Sequence, residues 1–103
     1  MRVTVNKSSV TNIGDYSNVS PNAELTIDNV KTEDFWKVHN YLQNIVNAMF
    51  DLNMLNTLND TVPLVYARKD IVEYNEHLRK GERSLLEQID ININGLKQLG
   101  YEV

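Results

Sequence analysis

The sequence predicts an α+β fold, mainly α, in which an N-terminal β-hairpin packs on a long antiparallel helix pair. Three observations carry this. Residues 1–30 hold short alternating apolar–polar runs, Arg2 to Val5 and Ala23 to Ile27. Phe35, Val38, Leu42, Ile45, Met49 and Leu52 then repeat at spacings of 3 and 4, and so do Leu64, Ile71, Leu78, Leu85, Ile89, Ile93 and Leu96. A chain of 103 residues supports one small core, so residues 1–103 are read as a single domain.

The hairpin strands are Arg2 to Val5 and Ala23 to Ile27, with Leu25 and Ile27 on one face. Ser8 to Asn22 is rich in Ser, Thr, Asn, Gly and Pro and reads as a connecting loop. Two strands alone are marginal in water, so the hairpin needs the helices as support.

The first helix is expected over residues 32–56, with Thr32 as N-cap and Glu33 and Asp34 in its first turn. Val46, Phe50 and His39 widen its apolar stripe to half the circumference, enough to meet both the second helix and the sheet. Residues 56–62 supply a turn.

The second helix is expected over residues 63–99, opening at Pro63 and closing before Gly100, a natural residue just past a helix end. Lys69/Glu73, Glu76/Lys80 and Arg83/Glu87 at i,i+4 mark its solvated side. Glu82 beside Gly81 interrupts the stripe and points to a kink or break there, or to a place where the partner helix has ended. Ile89, Ile91 and Ile93 followed by Asn94-Gly95 also fit a strand and hairpin turn; the helical period is the better match. Tyr101 to Val103 is expected to add a short strand. A rod of roughly 54 Å beside one of roughly 36 Å overhangs it and leaves apolar surface for another cover.

Chemical signatures are sparse. Net charge is −4 and pI about 5.0, which argues against a strongly basic phosphate-binding surface. The chain has no cysteine, which removes disulfides, thiol nucleophiles and thiolate metal sites. No apolar run reaches the ~20 residues of a membrane span, and the first residues lack a signal-peptide core; a cytoplasmic location is the expectation. His39 lies in the apolar arc and reads as a hydrogen-bonded, half-buried residue, and His77 reads as a surface residue. Glu33/Asp34 are a helix start. There is no Gly-rich phosphate loop, EF-hand pattern or helical zinc motif. The expectation is a non-enzyme with no cofactor and no metal.

Protein contact is the best remaining use of the surface. Trp36, Met54, Tyr66 and Ile91 fall at the edge of, or opposite, the apolar stripes and are the candidate partner-binding residues. Arg68, Lys69, Arg79, Lys80 and Arg83 are candidate nucleic-acid contacts, offset by Asp70, Glu73, Glu76 and Glu82. A solvated ion-paired face is the favoured reading of that group.

Thr11-Asn12-Ile13-Gly14-Asp15-Tyr16-Ser17-Asn18-Val19, followed by a β run to Ile27 and a capped helix, resembles small proteins encoded by bacteriophages and prophages. In that group a Gly-x-Tyr step joins two strands and helices follow. The resemblance covers about 45 residues; the Ser/Asn-rich connection and the long C-terminal helix depart from it. It implies a phage origin, which the 14 asparagines fit, and carries over no activity. The functional expectation is a protein-binding accessory protein acting in the host cytoplasm. It would inhibit host defence or nucleic-acid machinery, as anti-CRISPR proteins do. The partner would be a host protein or a second copy, with no membrane. The alternatives are a nucleic-acid-associated protein and a self-assembling structural phage protein.

Overall fold

The computed structural model describes residues 1–14, 17–61 and 69–103. Its architecture is α+β and mainly α: a β-hairpin packs on two antiparallel helices. β1 is Val3–Ser8, β2 Thr11–Gly14, β3 Ser17–Val19 and β4 Asn22–Ile27. A 3-10 turn over Thr32–Asp34 leads into α1, Phe35–Thr61, and α2 is Lys69–Gln98.

Within the region expected to be a loop, Thr11–Gly14 and Ser17–Val19 are strands. β1 pairs with β4 in an antiparallel register from Val3↔Ile27 to Ser8↔Asn22, and β2 pairs with β3 through Thr11↔Val19 and Asn12↔Asn18. These pairs share one register, so the two small sheets are halves of one long hairpin. The gap has a covalent cause. Ser9 N–H donates to the Pro21 carbonyl at 3.2 Å, but proline has no N–H to return the bond. Burial alternates across the gap: Val19, Pro21, Ala23 and Ile27 are buried, while Asn18, Ser20, Asn22, Glu24 and Thr26 are exposed. Small polar residues on the outer face hide this alternation in the sequence.

The outer face is polar, with Thr4 and Thr26 hydroxyls 2.8 Å apart and Arg2 paired to Asp28 at 2.6 Å. Beyond the register, Asn29 takes a positive φ of 58°, a conformation Asn tolerates. Met1 and Val30 then exchange two hydrogen bonds at 2.8 Å.

α1 is the central element. Its Val38, Leu42, Ile45, Val46, Phe50, Met54, Leu55 and Leu58 are all buried. One side meets β1 and β4 and the other meets α2. The expected turn over residues 56–62 gives way to helix as far as Thr61. Leu55 and Leu58 continue the apolar stripe to full burial, and this burial outweighs the weak helix propensity of the interspersed Asn and Thr. Thr32 is not an N-cap: it lies inside the 3-10 turn, which is preceded by Lys31 with no side-chain cap.

α2 runs without a break through Gly81 and Glu82, so the break read there is absent. Glu82 falls within the stripe, four residues after Leu78 and three before Leu85, and is exposed to water. The alternative strand at Ile89 to Ile93 is helix throughout. Over the described residues the two helices have 27 and 30 residues, rods of about 40 and 45 Å. Pro63 and Leu64, expected at the start of this helix, lie outside the described residues, as do Asp15 and Tyr16. α2 ends in a Schellman motif: Gly100 has φ 93°, its N–H donates to Lys97 carbonyl at 3.0 Å, and Tyr101 N–H donates to Leu96 carbonyl at 3.0 Å. Tyr101 to Val103 form no strand. The chain measures 49 × 24 × 17 Å, and its radius of gyration of 15.9 Å exceeds the ~13 Å of a compact chain this size; the helices set its length.

Gly95, which the sequence offered as a turn residue, is a packing residue. A Cβ there would come within 2.6 Å of Tyr41 Cζ, so the missing side chain lets the Tyr41 ring lie on α2. Gly81 has nothing within 4 Å of the same position. The two glycines therefore predict opposite outcomes in urea denaturation. Gly81→Ala stabilises by about 0.5–1 kcal/mol through helix propensity alone. Gly95→Ala destabilises by about 1–2 kcal/mol, because displacing Tyr41 outweighs that gain. Equal shifts for the two would refute the packing role.

Candidate functional site

The C-terminal turn of α2 fixes the start of α1. Tyr101 Oη donates to Asp34 Oδ2 at 2.6 Å and accepts from the Lys31 N–H at 3.1 Å. This clamp joins two segments 67 residues apart and holds the 3-10 turn from which α1 departs. The hydrogen bond to Asp34 raises the Tyr101 phenol above its ordinary value; the Lys31 amide acts in the opposite sense. Grooves of about 620 and 480 Å³ flank the turn, the larger between Thr26 to Lys31 and Leu99 to Glu102.

Trp36 follows directly on this clamp. Its side chain is 71% exposed, although an indole is among the largest apolar groups a fold can bury. It stands edge-on to Phe35 (centroids 4.9 Å apart, 70° between planes) and to His39 (6.1 Å, 74°). Phe35 is half-buried against the core, so the indole rests on a fixed base. His39 is half-buried as expected, but its Nδ1 is buried without a hydrogen-bond partner, contrary to the hydrogen-bonded role read from sequence. His77 is exposed.

Of the predicted partner-binding residues that the structure describes, Trp36 and Ile91 are exposed and Met54 is not. Met54 is 3% exposed and belongs to the core. It follows Val46 and Phe50 at i+4 steps on the α1 side that meets the hairpin, so this edge of the stripe is covered. Ile91 is 61% exposed on the outer side of α2, away from Asn92 and Leu96, which are buried. Tyr66 lies outside the described residues.

The basic residues line the solvated side of α2. Lys69 pairs with Glu73 at 4.0 Å and Arg83 with Glu87 at 3.4 Å, all four highly exposed; such pairs add little stability and offset part of the local positive charge. Arg79 and Lys80 are exposed, and Arg68 lies outside the described residues. Among the described residues no three His, Cys, Asp or Glu side chains converge as metal ligands, and no helix is long and apolar enough to cross a membrane.

Sequence reasoning missed the polar positions inside the helix pair. Asn92 is buried, accepts from Asn44 Nδ2 at 3.0 Å and donates to the Gln88 carbonyl at 2.6 Å. Asn75 is 1% exposed and its Oδ1 has no partner. Asn92 falls on the seven-residue continuation of the Ile71, Leu78, Leu85 row, and Asn75 falls four residues after Ile71 and three before Leu78, a signal the sequence does contain. Asn75→Leu is expected to stabilise by about 1–2 kcal/mol, since it removes a buried unsatisfied carbonyl. Asn92→Leu is expected to destabilise by about 1–3 kcal/mol, since it breaks a satisfied pair in the same stripe. Chemical denaturation of the two variants separates these signs.

Tyr74 is raised above its ordinary phenol value of 10.0, first by burial and then by the charge and hydrogen bond of Asp51. The folded chain thus holds this proton more tightly than the unfolded chain. Stability is fully present below the unfolded pKa of about 10 and falls as pH rises through the folded value. Thermal melts between neutral and strongly alkaline pH should show a fall that Tyr74→Phe reduces; an unchanged alkaline slope in that variant contradicts the assignment.

Comparisons of the chain with protein-family models, with curated proteins and with solved structures find no match.

Proposed function

We propose that this chain is a non-enzymatic protein-binding accessory protein, of bacteriophage type, that acts by docking on a host protein through the surface around Trp36. The observation that carries the reading is a 71% exposed indole on a rigid base. Exposed aromatic anchors of this kind supply large contact area at small entropic loss. The Tyr101–Asp34–Lys31 clamp holds the backbone on which Trp36 stands, so the anchor is preorganised rather than formed on binding. Host defence or nucleic-acid machinery is the target class consistent with the resemblance to small phage proteins. The ion pairs along α2 favour this reading over a phosphate track.

A photo-crosslinking residue placed beside the indole, at Lys37, tests this in host lysate. One discrete protein should be captured, and Trp36→Ala should reduce its capture at least ten-fold while far-UV circular dichroism stays unchanged. Equal capture by Trp36→Ala, or only diffuse labelling, would end the proposal.

A further inference from the structure

The hairpin leaves its outer strand edges without a backbone partner among the described residues. The Ser9–Pro21 hydrogen bond fixes which residues those edges expose. Odd-numbered residues of β1 and β4 bond across the ladder, and the even-numbered ones form the wide pairs. The 2.8 Å contact of the Thr4 and Thr26 hydroxyls agrees, because wide pairs bring side chains closest. The N–H and C=O groups of Asn22, Glu24 and Thr26 therefore point away from β1. Asn53 Nδ2 occupies the Asn22 carbonyl at 2.7 Å, which leaves Glu24 and Thr26 as the open donor–acceptor sets. β4 is lightly guarded as a free edge: Asn22–Ile27 holds no Lys, no Pro and no bulge, and its one charge is Glu24.

We propose that the outer edge of β4 pairs antiparallel with the same edge of a second copy of this chain, about a two-fold axis at Leu25. The charge pattern selects that axis. An axis at Glu24 sets Glu24 against its own copy, and one at Thr26 sets Glu24 against Asp28; like charges directly opposed are destabilising. An axis at Ala23 runs the new ladder over the Pro21 gap. At Leu25, Glu24 faces Thr26 of the second copy, so the two open sets on each chain close four backbone hydrogen bonds. On the inner face Ala23 lies across from Ile27, small against large, and Leu25, only partly buried in one chain, meets Leu25 of the second copy.

The layer below fits the same arrangement. Strands ~4.8 Å apart put the two hairpin centres about 10 Å apart. The two copies of α1, one under each hairpin, then lie within the 8–10 Å range of packed helices. Phe50 meets β1 through Lys7, and Asn53 meets β4 through Asn22. The α1 surface beyond β4 is thus the one carrying Met49 and Leu52, both only half-buried. The C-terminal turn does not seal the edge, since the groove of about 620 Å³ lies between it and the end of β4.

Sedimentation equilibrium from micromolar to sub-millimolar concentration tests the pairing. The wild-type chain should dimerise. Thr26→Pro deletes an N–H that faces outward, so it should weaken the dimer at least ten-fold while leaving circular dichroism unchanged. Thr4→Pro makes the same change on the outer edge of β1 and should leave the dimer intact. Leu25→Cys reports independently of the proline variants. In a chain without cysteine, the wide pair at the axis puts the two Cα atoms ~4.5 Å apart, within disulfide reach, and mild oxidation should link the copies. A monomer at every concentration overturns the proposal. So does a dimer insensitive to Thr26→Pro, equal loss in Thr4→Pro, or a Leu25→Cys chain that stays unlinked. The surface is separate from Trp36, so Trp36→Ala should leave the dimer unaffected.

Discussion

Everything in this fold depends on burying α1 from two sides at once. A two-stranded hairpin has too little apolar area to stand in water, and α2 is a charged rod with one apolar stripe. Each becomes stable only against α1, whose buried residues occupy both the hairpin side and the α2 side. The layers are therefore hairpin, helix, helix, with the middle one carrying most of the core. This explains why the outer face of the hairpin is polar and the outer face of α2 mostly charged, with Leu86 and Ile91 as its exposed apolar residues.

The same arrangement shows what could be read from the residues and what could not. Helical spacing gave both helices, and the half-circumference stripe of α1 gave its two-sided packing. Gly100 announced the end of α2 because only a residue free of a Cβ takes φ 93° without strain. The distal half of the hairpin was hidden because its outward positions are Asn and Ser, whose turn preference imitates a loop, while Pro21 breaks the ladder but not the register. The run past Asn56 was hidden for a related reason: local propensity there opposes helix, and the deciding term, burial of Leu58, comes from distant residues. Glu82 misled in the other direction: the helix passes it unbroken and leaves the charge in water.

The candidate surface was legible in part. Trp36 and Ile91 were recognisable as bulky residues off the packing stripes, and both are exposed. Met54 was read at the edge of the α1 stripe, but that edge lies on the hairpin side of the helix and is buried in the core. The clamp of Tyr101 on Asp34 and Lys31 has no local signature at all. It depends on two antiparallel helices of nearly equal length, which return the C-terminal turn to the point where α1 begins.

Tyr41 and Gly95 have a consequence for how this sequence can change over time. The ring and the missing side chain fill one volume, so neither position can drift alone. Growth at 95 is tolerated only after shrinkage at 41, and related chains should show the two positions varying together as a compensated pair. Gly81, in the same helix but facing open space, carries no such debt and should vary freely.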